Sequence, residues 1–342
     1  MVDIENFEPK NSYDRKLKEM LQHFWLPSAL FVAVELDIAE LLEIGSKSIS
    51  ELALLINSNE ESLYKLLKAL ASLGIFLESY PCIFENTPMS CQLSTSAEGS
   101  IKPWIKLLGQ EWYQSAWGDL LYSIRTGKQA FSHINGKKLF DFLEESDNLS
   151  KVFNEDMEFD TRSLENLFIK YDFTKFDKVI DVGGGYGTLM ISLLKQNPHL
   201  SGIILETPRV SVQAKKRIHS AGLGDRCEVI TGDMFKYIPE GGDLYILKNI
   251  LHDWEDEDAR QVLKNCRCAI LNQGTILIIE GVLDSQDIYS SIHYVNLAML
   301  VLTGGKERTL KEYENLLNST SFRLREVFNT PYPLDIIEAV SA

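Results

Sequence analysis

The order of apolar and polar positions divides the chain into two regimes. Up to about Thr161 the spacing is helical. In PSALFVAVELDIAELLE, the residues Leu30, Val34, Ile38, Leu41 and Leu42 recur on one helical face. ISELALLINSNEESLYKLLKALASLGIFLE predicts two more helices, parted by the turn-prone Asn57, Ser58 and Asn59. The second runs from about Glu61 to near Gly74. IFLES and the CIFEN that follows predict a small hairpin with Pro81 in its turn. Helix, helix and hairpin outline a winged helix. Such modules often bind DNA, but Lys65 and Lys68 are the only bases on the second helix, so packing is the expected role. Two further helical blocks follow. One holds Trp104, Trp112, Tyr113 and Trp117; the other holds Leu139, Phe142, Leu149, Phe153 and Met157.

From about Asp172 the pattern changes to alternating strand and helix. The predicted strands are KVIDV, GIILE, CEVITG, DLYILK and GTILIIEG. Short apolar runs with helices between them predict a parallel sheet covered on both faces. After a helix around Tyr294 to Leu302, FRLREVF and DIIEAVS predict two last strands that pair antiparallel. The expected fold class is α/β.

Composition narrows the function. A chain of 342 residues, 45% hydrophobic, suits two domains with a sizeable core. A net charge of −15 disfavours nucleic acid and anionic membranes as partners and suits a solvated surface. No apolar stretch reaches membrane-spanning length. The opening MVDIENFEPK is polar and acidic, unlike a signal peptide. Five cysteines, with Cys266 and Cys268 one residue apart on a helix, lack the spacing of a zinc site. They read as reduced core thiols of a cytoplasmic protein. The six histidines do not cluster at ligand spacing, so no metal is expected.

The stretch DVGGGYG, Asp181 to Gly187, joins the first strand to the next helix. Its glycines admit positive φ and a close ligand, and the helix start offers free N–H donors. A dinucleotide fingerprint, counted from Gly183 and Gly185, would place its third position at Thr188; here the third glycine is Gly187. Asp181 would repel a pyrophosphate. It suits a ligand with an ammonium group, such as S-adenosylmethionine, a nucleoside with a cationic amino-acid tail and no phosphate.

Five consecutive strands carry polar residues at their carboxyl ends, the edge where open parallel sheets bind ligands. They are Asp181 with its glycines, Glu206, Asp233 in GDMF, Lys248 through Asp253 in LKNILHDW, and Glu280. Each has a plainer alternative. Glu206 suits a ribose diol, against a solvated strand end. Asp233 suits an adenine amino group, with Met234 and Phe235 against the ring, or else a simple turn. Trp254 covers a purine or fills the core. Lys248 is more often a helix-cap or surface lysine, so its role is the weakest of the set. His252 is the candidate base, because imidazole titrates near neutrality. Glu280 and Glu307, the latter in TGGKERT, are the acids expected to orient its ring and stabilise its cation.

At these residues the chain resembles the class I S-adenosylmethionine-dependent methyltransferases. More closely, it is similar to the small-molecule O-methyltransferases of the plant caffeate and acetylserotonin type and of bacterial antibiotic pathways. DVGGGYG, GDMF, LKNILHDWED, IIEGVLD and GGKERT stand in that family's order; LYKLLKALASLGIF, SIRTGKQAF and KVFNEDM match its N-terminal and substrate-side helices. The resemblance implies a Rossmann-like domain with a mostly parallel seven-stranded sheet and an antiparallel last strand. It also implies a winged-helix dimerisation domain over 1–100, a helical substrate-side region over 101–170 and a cofactor-binding domain over 171–342. His252 would be the base, with Glu280 and Glu307 beside it. Asp181, Gly183, Gly185, Gly187, Glu206, Asp233, Met234, Phe235, Lys248 and Trp254 would hold S-adenosylmethionine, which leaves as S-adenosylhomocysteine. The acceptor would meet Trp112, Tyr113, Leu149, Phe153, Met157, Asp160, Asn296 and Met299. The partners implied are a small aromatic acceptor and a second copy of the chain. Glu206 stands where the family usually has Asp, Asn296 where many members have Asp, and Asp160 where plant relatives have His. A His base with two acids favours O-methylation of a phenol or enol. N- or C-methylation, a cofactor-binding member that does not methylate, and a nicotinamide-dependent dehydrogenase are the alternatives.

Overall fold

The computed structural model describes residues 11–163, 171–283, 291–330 and 334–342. The opening MVDIENFEPK and the side chain of Asp160 lie outside the described residues. The chain forms two compact units, Met1–Gln110 and Glu111–Ala342.

In the first unit, α1 (Asn11–Gln22) leads through a short 3-10 turn into α2 (Leu26–Glu35) and α3 (Ile38–Leu41). The periodic stretch that predicts one helix is broken at Asp37, which takes φ 50°. β1 (Lys47–Ser48) precedes α4 (Ile49–Leu55), which opens on a capping box of Ser48 and Glu51. α5 (Glu60–Ala71) is capped by Asn59. β2 (Phe76–Tyr80) and β3 (Ile83–Asn86) form the expected hairpin, and β1 adds a third strand beside β3. α6 (Pro88–Cys91) and α7 (Lys102–Leu108) follow. Val34, Ile38, Leu52, Leu67, Phe76 and Phe84 make the core. On α5, Lys65 pairs with Glu61 at 2.6 Å, and Lys68 reaches Glu78 at 2.6 Å.

The second unit begins with a helical run: α8 (Glu111–Gly118), α9 (Leu120–Thr126), α10 (Ala130–Asn135), α11 (Leu139–Leu143) and α12 (Asp147–Ser163). The alternating part then supplies β4 (Lys178–Val182), α13 (Thr188–Gln196), β5 (Ser201–Glu206), α14 (Pro208–Ser220) and β6 (Cys227–Thr231). It continues with β7 (Leu244–Lys248), α15 (Asp256–Ala269), β8 (Thr275–Glu280) and the short β9 (Val282–Leu283). α16 (Ile292–Leu302), β10 (Arg308–Thr309), α17 (Leu310–Asn318), β11 (Phe322–Phe328) and β12 (Asp335–Ser341) complete it.

The main sheet has seven strands in the order β11-β12-β8-β7-β4-β5-β6. β8, β7, β4, β5 and β6 are parallel, and β12 runs antiparallel to its neighbours β8 and β11. Successive strand residues face opposite sides. Ile180, Val182, Tyr245 and Leu247 pack under α15 and α17, and Val179, Ile204, Leu244 and Ile246 under α13 and α14. Burial on both faces explains the near-continuous apolar strands. The strand order reverses between β4 and β7, and the carboxyl ends of these two strands carry the glycine loop and the LKNILHDW segment.

Among the described residues no helix is long and apolar enough to cross a membrane. The cysteines depart from the expectation of core thiols. Cys227 and Cys266 are buried, whereas Cys82, Cys91 and Cys268 are exposed, because each of these three lies on a turn or an outward helix face.

Candidate active site

After β7 the chain takes a left-handed residue, Asn249 at φ 51°, and closes a 3-10 turn over Leu251–Asp253. This turn carries the buried His252. The His252 Nδ1 meets Glu307 Oε1 at 2.7 Å. Glu307 is itself buried, and its backbone N–H donates to Asn296 Oδ1 on α16 at 2.9 Å. The paired glycines before it allow the approach. A Cβ on Gly305 would stand 1.9 Å from the His252 carbonyl oxygen and 2.5 Å from the carbonyl carbon of Asp253. Lys306 N–H donates to that same His252 oxygen at 2.9 Å.

Glu280 does something other than orient the ring. Its Oε1 accepts the backbone N–H of Ile250 at 2.9 Å, of Leu251, and of His252 at 3.3 Å. Its Oε2 accepts from the Tyr313 hydroxyl at 2.6 Å. Strand β8 ends beneath the turn, so the carboxylate meets the turn's N–H groups before it can reach the imidazole. Burial raises the Glu280 carboxyl above its ordinary range. For His252, burial opposes the cation. The hydrogen bond to Glu307 and the charges of Asp253, Glu307 and Glu280 outweigh it and raise the imidazole to about 9. Desolvation pushes Asp253 up to about 7, with Glu280 and Glu307 adding to it.

On the neighbouring strands, Gly183, Gly185 and Gly187 all have positive φ. Asp181 is 1% exposed, and its Oδ2 has no hydrogen-bond partner among the described residues. The loop packs onto this carboxylate, since a Cβ on Gly184 would come within 2.4 Å of Oδ2. Glu206 holds the loop from β5. Its Oε1 accepts from Gly185 N–H at 2.8 Å and its Oε2 from Thr207 N–H at 2.8 Å. Gly185 opens onto space, because the nearest atom to a Cβ there would be Asn154 Oδ1 at 4.0 Å. Burial raises Asp181 to about 7 against the charge of Lys248. Desolvation raises Glu206 to about 7, against its two N–H donors. An orphaned buried carboxylate below an open glycine cradle fits a cationic ligand such as S-adenosylmethionine.

Further along the edge, Asp233 accepts from Phe235 N–H at 3.0 Å and pairs with Lys236 at 2.9 Å. Burial opposes ionisation there, but these two contacts hold its carboxyl below the usual range. Trp254 meets Phe235 edge-on at 4.7 Å between ring centroids and stacks on Phe140 at 5.5 Å. Met234 is partly buried against the same core. Phe140 belongs to α11 and also meets Phe153 of α12 at 6.0 Å. Sequence reasoning missed Phe140, whose spacing in LFDFL does not separate it from Phe142.

The residues expected around the acceptor divide. Leu149, Phe153 and Met157 on α12, and Asn296 and Met299 on α16, are partly exposed. Tyr113 is half-buried, near Trp117 at 6.5 Å. Trp112 is 7% exposed and packs against Phe131 and Phe142, so it serves the core of the helical run. Charged contacts tie this run to the sheet edge. Glu144 accepts from the Thr207 hydroxyl at 2.6 Å, and Glu158 accepts from the Thr188 hydroxyl at 2.7 Å and pairs with Arg217. None of these contacts was legible in the sequence. Among the described residues no cluster of metal-ligating side chains forms.

Residues 117–323 match the O-methyltransferase domain, and residues 18–96 match the O-methyltransferase dimerisation domain. The chain belongs to the O-methyltransferase family. It is 37% identical to phenazine O-methyltransferase PhzM of Lysobacter antibioticus over 94% of this chain and 95% of that one. It is 30% identical to 8-amino-8-demethylriboflavin N,N-dimethyltransferase of Streptomyces davaonensis over 86% of this chain and 85% of that one. Human N-acetylserotonin methyltransferase, solved with S-adenosylmethionine, superposes with a TM-score of 0.87 at 27% identity, covering 98% of this chain and 99% of that one. The resemblance read from DVGGGYG, GDMF and GGKERT is therefore correct, and so is the fold class. This O-methyltransferase family member is an S-adenosylmethionine-dependent enzyme, with the cofactor expected from the glycine loop.

Proposed function

We propose that this O-methyltransferase methylates a hydroxyl of a small aromatic acceptor, with His252 as general base. The contact that carries the reading is His252 Nδ1 on Glu307 Oε1 at 2.7 Å. In neutral imidazole this contact makes Nδ1 the N–H donor and leaves the lone pair on Nε2. S-adenosylmethionine supplies an electrophilic methyl on a sulfonium. The chain then has three tasks. Asp181 and Glu206, with Gly183, Gly185 and Gly187, hold the cofactor's charged and ribose ends, and Asp233, Met234, Phe235, Lys248 and Trp254 its adenine side. The partly exposed residues of α12 and α16, with Tyr113, orient the acceptor. Nε2 of His252 takes the hydroxyl proton, and Glu307 stabilises the imidazolium that results.

A phenol with a pKa of about 10 is mostly protonated at neutral pH, and a positioned base is worth roughly 10²- to 10⁴-fold. An amine acceptor is already nucleophilic and gains far less. The buried dyad therefore favours oxygen, although one relative is named as an N,N-dimethyltransferase. The functional form is a homodimer joined through the N-terminal helices, working in the cytoplasm.

The test is His252→Ala assayed with labelled cofactor and a panel of phenols. Methyl transfer should fall roughly 10²-fold or more with affinity for S-adenosylhomocysteine nearly unchanged. A variant as fast as the parent at neutral pH would leave proximity as the whole mechanism and point to an amine or carbon acceptor.

A further inference from the structure

Arg308 is the bulkiest fully buried side chain among the described residues. A buried guanidinium is costly unless its N–H groups all find acceptors. Arg308 finds acceptors for four of its five N–H groups in one short segment. Nη1 donates to the Leu251 carbonyl at 2.7 Å, and Nη2 donates to the Trp254 carbonyl at 2.8 Å. Nη2 and Nε also donate to Asp256 Oδ1, at 2.9 and 3.1 Å. These acceptors bracket His252. On the opposite side of the same segment, Glu280 collects the N–H groups of Ile250, Leu251 and His252. The backbone from Ile250 to Trp254 is thus gripped through its N–H groups by an anion and through its carbonyls by a cation.

We propose that Arg308 is a positioning residue for methyl transfer, locking His252 and the aromatic Trp254 into one rigid unit. This rests on the reading of His252 as base and Trp254 as a cofactor neighbour. Arg308 touches neither the imidazole nor any reacting atom. It acts by fixing the distance between the residue that takes the proton and the ring beside the cofactor. The planar fork is what the task needs, since it spans two carbonyls and a carboxylate at once. A lysine ammonium keeps the charge but cannot bridge all three.

Arg308→Lys is therefore the informative variant, because electrostatics at His252 stay nearly constant while the clamp is lost. Three quantities are measured on the full-length protein. The first is the His252 ring titration by NMR, where Glu307, Asp253 and Glu280 are the charged groups facing the ring. It should move down from about 9 toward the ordinary 6.5 as the contact with Glu307 loosens. The second is affinity for S-adenosylhomocysteine by calorimetry, which should weaken about five- to twentyfold as Trp254 shifts. The third is kcat with a phenolic acceptor, which should fall about tenfold or more. A folded variant with parental titration and parental affinity overturns the proposal. If Arg308→Lys does not fold, Asp256→Ala removes the carboxylate acceptor of Nε and Nη2 from a half-exposed position, and unchanged affinity for S-adenosylhomocysteine there overturns it equally. The two readings fail separately. A fully active His252→Ala removes the base, whereas the titration and the binding shift still report on the clamp.

Discussion

His252 and Glu307 meet through Nδ1 and Oε1 at 2.7 Å, although they stand 55 positions apart in the chain. The contact sets the tautomer of the ring and raises its affinity for a proton. It also has a consequence for pH. With the imidazole at about 9, the neutral form that can act as base grows as pH rises. We expect kcat/KM to climb about tenfold per pH unit below that value and to level above it. Glu307→Gln removes the supporting charge, so the limb should shift to lower pH and the plateau should fall about ten- to a hundredfold. A parental profile that is flat from neutrality upward would contradict the assignment.

Asp181 and Glu206 should couple cofactor binding to proton release. Burial raises both carboxyls to about 7, so each holds a fraction of a proton near neutrality. A cationic ligand favours the ionised forms. Affinity for S-adenosylmethionine should therefore strengthen as pH rises through this range. Calorimetry in two buffers of different ionisation enthalpy should show protons released on binding. Heats that do not depend on the buffer would refute the coupling.

The same groups make stability depend on pH. Asp181, Glu206 and Asp253 bind protons more tightly folded, at about 7, than at their ordinary values of 3.8, 4.5 and 3.8. The stability they contribute is present below those ordinary values and is lost as pH rises through 7. His252 acts in the same direction, its contribution being full below 6.5 and lost as pH rises through about 9. Without cofactor the melting temperature should fall from mildly acidic to mildly alkaline pH. Saturating S-adenosylmethionine should narrow the difference. A melting temperature that rises with pH over this window would show that other groups dominate.

Gly305→Ala tests the close approach behind Glu307. Its Cβ would stand 1.9 Å from the His252 carbonyl oxygen, a backbone atom that cannot swing aside. Overpacking of this kind costs about 1–3 kcal/mol, and here it should also push the base off its geometry. We expect a lower melting temperature and at least about a tenfold loss of kcat. Gly118→Ala is the control, since a Cβ there meets nothing within 4 Å. Equal behaviour of the two variants would show that the contact yields.

The N-terminal helix should mediate self-association. Leu17, Met20, Leu21, Phe24 and Trp25 are between 59% and 80% exposed within one copy. An exposed apolar row of this size marks an interface. Light scattering should give a particle of twice the 38.8 kDa chain. Leu21→Asp combined with Phe24→Asp should shift it toward a single copy. A double variant that stays dimeric would place the interface elsewhere.

The sequence by itself determined the architecture of the second unit. KVIDV and DLYILK correspond to β4 and β7 almost residue for residue. Strands buried on both faces must be continuously apolar, and glycine loops must follow where a ligand approaches, so both leave local marks. Local signals also reached the N-terminal helices and hairpin, though not the break at Asp37, which no period records. The tertiary structure alone decided which groups touch. It turned Glu280 onto the backbone N–H groups of the His252 turn, set Trp112 into the core and buried Arg308 under the carbonyls of Leu251 and Trp254. In the sequence, TGGKERT marked Glu307 as a partner for His252, but nothing in its spacing set Arg308 apart. Whether a charge is buried depends on acceptors brought from distant segments, and hydrogen bonds between such segments follow from strand order and packing rather than from spacing along the chain.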